Sequence, residues 1–163
     1  MLILLQTWKR SSETASRPID RPGIETLGFI LDTSILIANE RRGGTVSRLV
    51  QNIYSAYAES QIALSSVSVV ELTHGIYRAR TEADRIRRQT YAGRAFADLV
   101  IHPVTFEIAR LAGQIEGEQA AREINIAFED LVIGCTALYL DYEVATLNTK
   151  HFELIPGLRM VAL

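Results

Sequence analysis

The sequence predicts an α/β fold: a central parallel sheet of four to five strands with helices packed on both faces. Two observations lead there. From residue 28 onward, short apolar runs alternate with longer segments of helical periodicity. One segment, "AFEDLVIGCTALYLDY" (127–142), is apolar nearly all round, as a helix buried against a sheet must be. A sheet of this class binds its ligands just beyond the carboxyl ends of its strands.

The chain of 163 residues is long enough for one domain with a sizeable core, and its 48% hydrophobic content suits a globular protein. No apolar run approaches the roughly 20 residues of a membrane helix, and Met1 to Leu5 is too short for a signal-peptide core. A single cysteine, Cys135, rules out an internal disulfide and suggests a cytoplasmic setting. Within the apolar 127–142 helix, that cysteine reads as a small packing residue.

Residues 1–26, with Ser11-Ser12, Pro18, Pro22 and Gly23 and no sustained periodicity, read as an extension; the domain spans 27–163. "GFILD" (28–32) is a short buried strand, and "SILIANERR" (34–42) a helix stopped by Gly43-Gly44. "TVSRLVQNIYSAYAES" (45–60) places Val46, Leu49, Val50, Ile53 and Tyr57 on one helical face. "QIALSS" (61–66) is a second strand. In "SVVELTHGIYRAR" (68–80), a helix, Val69, Leu72 and Ile76 turn inward. "TEADRIRRQTYAGRAFADL" (81–99) is a helix capped by Thr81. "VIHPV" (100–104) is a third strand, "TFEIARLAGQIEGEQAARE" (105–123) a helix, "EVATLN" (143–148) a fourth strand and "LRMVAL" (158–163) a fifth.

The net charge of −2 carries no nucleic-acid signature, but the distribution is uneven. Residues 78–94 hold six arginines and two acids, whereas residues 98–143 hold nine acids and two arginines. One region should attract polyanions and another cations. An arginine run is also what a solvated helix face looks like.

Three acids stand out. Asp32 ends the first strand, where ligands bind, yet it is also a good N-cap for the helix that follows. Glu71 shares a helical face with His74 and Arg78, yet Ser68-x-x-Glu71 has the spacing of a capping box. Asp130 opens the apolar helix, so its first turn lies near the core, and Gly134 and Ala137 above it permit close packing on the sheet. Were the three to converge, two carboxylates about 4 Å apart would repel by roughly 4 kcal/mol at an effective dielectric near 20. Either their pKa values rise or a cation binds, and an all-oxygen donor set favours Mg²⁺ or Mn²⁺. A partly hydrated ion of that kind leaves room for a substrate phosphate and acidifies water.

The stretches "FILDTSILIA" (29–38), "LSSVSVVELTHGIYRAR" (64–80) and "FEDLVIGCTALYLDYEVATLNTKHFELIPGL" (128–158), in this order, resemble the PIN-domain ribonucleases, most closely the toxin half of VapBC toxin–antitoxin pairs. The resemblance covers residues 28–163. It implies a PIN-like α/β/α fold and a metal-dependent endoribonuclease, with Asp32, Glu71 and Asp130 as metal ligands. Ser34 and Thr146 would be hydroxyls bordering the site, and Asn148 a polar catalytic neighbour. Many members carry an aspartate where this chain has His151, so a fourth acid is missing; His151 would instead contact RNA or start a surface helix. Arg78, Arg80, Arg85, Arg87 and Arg88 would steer the RNA backbone. Tyr77 and Tyr91 would stack on bases or pack. The implied partners are RNA, a VapB-type antitoxin whose tail crosses the active site, and a second copy of the chain. The missing acid leaves open a catalytically weak RNA- or antitoxin-binding module.

Two other enzyme classes place an aspartate after the first strand. A haloacid-dehalogenase-type phosphatase needs a second aspartate two residues on, where this chain has Ser34. A response-regulator receiver needs an acid ending its third strand, and "VIHPV" has none.

Overall fold

The computed structural model describes residues 28–57 and 60–162; the predicted extension, and residues 58 and 59 of the second helix's expected span, lie outside them. Four apolar residues, Gly28–Leu31, form β1, every one buried. Successive side chains of a strand point to opposite faces. Phe29 and Leu31 accordingly enter one core with Ile35, Ile53, Leu72 and Ile76, and Ile30 enters a second with Ile108, Ile133, Val144 and Phe152. A strand apolar on both faces belongs at the centre of a covered parallel sheet.

That is where β1 lies. β2 (Gln61–Ser65), β3 (Val100–His102), β4 (Glu143–Thr146) and β5 (Met160–Ala162) complete a five-stranded sheet in the order β3-β2-β1-β4-β5. All pairings are parallel, with Phe29 beside Ile62 and Ile30 beside Val144. The chain runs outward from β1 to β3, then crosses back to β4 and β5. The order therefore reverses between β1 and β4, and such a switch point opens a crevice at the strands' carboxyl ends.

Helices α1 (Thr33–Arg41), α2 (Val46–Tyr57), α3 (Ser66–Tyr77) and α4 (Glu82–Asp98) follow β1 and β2. The α4 cap is as expected: Thr81 Oγ1 accepts the Asp84 N–H at 3.1 Å. Helices α5 (Phe106–Ala120), α6 (Phe128–Leu140) and the short α7 (Thr149–Phe152) supply the second core. In α6, Leu131 to Ala137 are seven consecutive buried residues, as an all-round apolar helix requires.

Two local expectations are corrected. β2 runs directly into α3 with no connecting loop, so the helix starts at Ser66 rather than Ser68. Ser68 is thus inside the helix, fully buried, with an Oγ that bonds nothing, and no capping box involves Glu71. Gly134 does make room for a close approach, but by Ile155 and Leu158 beyond α7 rather than by the sheet.

Candidate active site

Asp32 leaves the sheet still paired: its N–H donates to the Ala145 carbonyl at 2.9 Å, so β1 and β4 are tied at their carboxyl ends. Its backbone occupies the N-cap position of α1, but its carboxylate makes no cap bond. Instead Oδ2 accepts from Ser34 Oγ at 2.5 Å and from Thr146 Oγ1 at 2.7 Å. Both hydroxyls are in turn held by backbone: Leu147 N–H donates to Ser34 Oγ at 3.2 Å, and Asn148 N–H to Thr146 Oγ1 at 2.8 Å. Two amide–hydroxyl–carboxylate relays thus converge on Oδ2 of a side chain only 5% exposed. Chains of this kind polarise one another and fix geometry.

The other oxygen, Oδ1, faces a different neighbour. Thr33 Oγ1 lies 3.5 Å from it and 3.3 Å from Oε2 of Glu71. Thr33 has one hydrogen, so it serves one carboxylate at a time while standing between both. Glu71 reaches this place from the second turn of α3, positioned by the seamless β2–α3 junction. Burial, then the Asp32 charge, push its carboxyl from the ordinary 4.5 to about 7; Thr33 pulls the other way, and Glu129 and Asp130 add to the rise.

Asp130 stands in the first turn of α6, 18% exposed. Burial raises its pKa, the His151 hydrogen bond lowers it, and the charges of Asp32 and Glu129 raise it. The charge of Asp32 thus bears on both Glu71 and Asp130, and that of Asp130 on Glu71. His151 Nδ1 lies 2.9 Å from Asp130 Oδ2 and 2.8 Å from Asn148 Nδ2. The position lacking a fourth acid is thus filled by the His151 imidazole, which meets Asp130, and by the Asn148 amide, which meets His151.

Burial and neighbouring like charges raise the proton affinities of Glu71 and Asp130, and an all-oxygen donor set of this kind suits a hard cation. Among the described residues no group of three or more His, Cys, Asp or Glu side chains is arranged so that it could hold a metal ion as it stands. The donor set fits a hard divalent ion that keeps part of its water, not one wrapped by protein. Cys135 takes no part: it is fully buried, and burial pushes its thiol up to about 12.

The arginine run divides. Arg85 is paired with Glu82 at 2.5 Å. Arg87 bonds the buried Glu40 and, at 2.6 Å, Asp84. Arg88 donates to the Gly75 carbonyl at 2.6 Å. Arg78 and Arg80 are exposed and, among the described residues, their side chains have no partner. Tyr91 is half-buried and accepts from Asn39 Nδ2 at 2.7 Å, which makes it a packing residue; Tyr77 is exposed. A cavity of about 150 Å³, lined by Leu36, Ile37, Glu40, Gly75, Arg88 and Tyr91, adjoins Glu71.

Sequence reasoning missed Thr33 and Glu129. Thr33 follows Asp32 directly, and a hydroxyl beside a strand-end carboxylate was the available signal. Glu129 neighbours Asp130 in the sequence but faces solvent.

A PIN domain family model matches residues 29–158. The chain is 32% identical over 135 residues to Ribonuclease VapC of Rickettsia bellii, covering 83% of this chain and 96% of that one. It is 32% identical over 131 residues to Ribonuclease VapC10 of Mycobacterium tuberculosis, covering 80% and 90%. Its fold matches a chain in the crystal structure of VapBC2 from Rickettsia felis bound to a promoter DNA fragment, with a TM-score of 0.71 at 20% identity over 83% of this chain and 98% of that one.

Proposed function

Because this chain belongs to the PIN-domain family, we propose that it is a divalent-metal-dependent endoribonuclease and the toxin half of a toxin–antitoxin pair. The observation that carries this reading is geometric: Thr33 Oγ1 stands between the carboxyls of Asp32 and Glu71, and Asp130 joins the same corner through His151, Asn148 and Thr146. Those three residues would hold Mg²⁺ or Mn²⁺, which when bound supplies charge neutralisation for a phosphodiester and makes water easier to deprotonate.

The reaction is hydrolysis: a water oxygen bonds to phosphorus and the bond from phosphorus to the leaving nucleotide oxygen breaks. Glu71 and Asp130 orient the water by accepting its hydrogens. Asp32 stays fixed by Ser34 and Thr146, so it need not reorganise as charge develops. Arg78 and Arg80 are the members of the arginine run free to meet backbone phosphates. Arg85, Arg87 and Arg88 would reach RNA only by giving up their present bonds.

The partner is a VapB-type antitoxin, supported by the VapBC complex that shares the fold. A homodimer in the cytoplasm completes the proposal; no helix of the described residues is long and apolar enough to cross a membrane. One observation favours a second reading, a binding module of low activity: no acid occupies the Asn148–His151 corner.

Incubation of the purified protein with RNA separates the two. Cleavage that needs Mg²⁺ or Mn²⁺, stops with chelator and disappears in Asp130→Asn supports the nuclease. RNA binding with no cleavage under any divalent ion supports the binding module and sinks the first reading.

A further inference from the structure

We propose that His151 is a positioning residue: it fixes the Asp130 carboxylate for a cation and limits the site to one tightly held divalent ion. This rests on the metal-dependent reading above and goes beyond it by assigning a role to a residue and a stoichiometry to the site.

The geometry at His151 is constrained. Its Nδ1 lies within hydrogen-bond distance of both Asp130 Oδ2, at 2.9 Å, and Asn148 Nδ2, at 2.8 Å. One ring nitrogen cannot donate to a carboxylate and accept from an amide at once. A carboxylate only accepts, so for the contact to Asp130 to be a bond, Nδ1 must carry the hydrogen. The Asn148 amide then turns its oxygen toward the ring and shares that hydrogen. In this arrangement Asp130 Oδ2 is occupied, and Oδ1 is the oxygen left for an ion.

Backbone keeps the pair in place. Asn148 is fixed through its N–H on Thr146 Oγ1, and His151 N–H donates to the Asn148 carbonyl at 3.3 Å in the first turn of α7. The same Thr146 hydroxyl holds Asp32. The ligand at the end of β1 and the orienter of the ligand on α6 are therefore set by one short segment, residues 146 to 151. Partners that orient a ligand in this way typically change metal affinity by about 10- to 100-fold when removed.

The stoichiometry follows from charge. Asp32, Glu71 and Asp130 bring at most three negative charges, enough for one divalent ion and too few for two. The remaining corner, Asn148 and His151, contributes no anion. Glu129 is near but exposed, with no hydrogen-bond partner among the described residues, where water competes for any ion it would hold.

The test is Mn²⁺ binding to metal-free protein at fixed pH, by calorimetry and by electron paramagnetic resonance of the free ion. The expected results are one tight Mn²⁺ per wild-type chain, and affinity about 10- to 100-fold weaker in His151→Ala. An asparagine can place an amide nitrogen near the Nδ1 position, so His151→Asn should recover affinity to within a few fold of wild type. His151→Asp should bind a second ion. His151 is 56% exposed, and unchanged melting temperatures would show that the variants fold. Equal affinity in wild type and His151→Ala, no recovery in His151→Asn, two similar sites in wild type, or no second ion in His151→Asp would each overturn the proposal alone. Absence of any divalent binding by wild type would overturn the metal-dependent reading with it.

Discussion

The hydroxyl of Thr146 donates to Oδ2 of Asp32 at 2.7 Å, across the two central strands of the sheet and 114 residues apart in the chain. The same oxygen accepts the Asn148 N–H. Replacing Thr146 by Val deletes a donor to a buried carboxylate and strands an amide, which should cost about 1–3 kcal/mol of stability in urea unfolding. Thr146→Ser keeps both bonds and should lose less than half as much. A loss confined to Thr146→Ser, with Thr146→Val close to wild type, would show that the methyl group, not the relay, is what the fold needs.

The state of Glu71 makes the metal-free protein pH-sensitive. Its carboxyl is raised from the ordinary 4.5 to about 7 in the folded chain. The unfolded chain therefore gives up that proton first, and the fold loses stability as pH rises from about 4.5 through about 7. Glu71→Gln removes this loss. With chelator at pH 8 the variant should be more stable than wild type by about 1–2 kcal/mol, a figure reduced for the half-exposed position. The gap should close below pH 4.5. Identical pH profiles for the two proteins would contradict the assigned environment.

These two residues also show what was legible in the sequence. Asp32 could be read because a buried apolar strand delivering a carboxylate is uncommon, and because strand ends in such sheets bind ligands. Its hydroxyl partner Thr146 was identifiable only by resemblance, since no periodicity pairs residues so far apart. Glu71 carried a misleading signal: Ser68-x-x-Glu71 has capping-box spacing, and nothing local reveals that β2 enters α3 without a loop. The helices and strands themselves were readable, since burial imposes its period on them. The arginines were visible as a run, but Glu40, which claims Arg87, lies 47 residues upstream.

That division among the arginines has a consequence for RNA binding. Arg78→Ala and Arg80→Ala should each weaken RNA affinity and lower the salt dependence by about one charge, with melting temperatures unchanged. Arg87→Ala leaves the buried Glu40 without its cation and should cost about 1–3 kcal/mol of stability, less than a fully buried pair because Arg87 is half exposed. Filter binding across a salt series, paired with thermal melts, checks both. Wild-type salt dependence in the Arg78 and Arg80 variants would remove them from the RNA path.

The claim beneath all of this is that Asp32, Glu71 and Asp130 serve one cation. The most direct measurement is an anomalous difference map from crystals of the protein grown with Mn²⁺. The account predicts a peak within bonding distance of carboxylate oxygens of all three residues, absent from crystals of Asp130→Asn. A manganese peak elsewhere, with none among these three carboxylates, would contradict it.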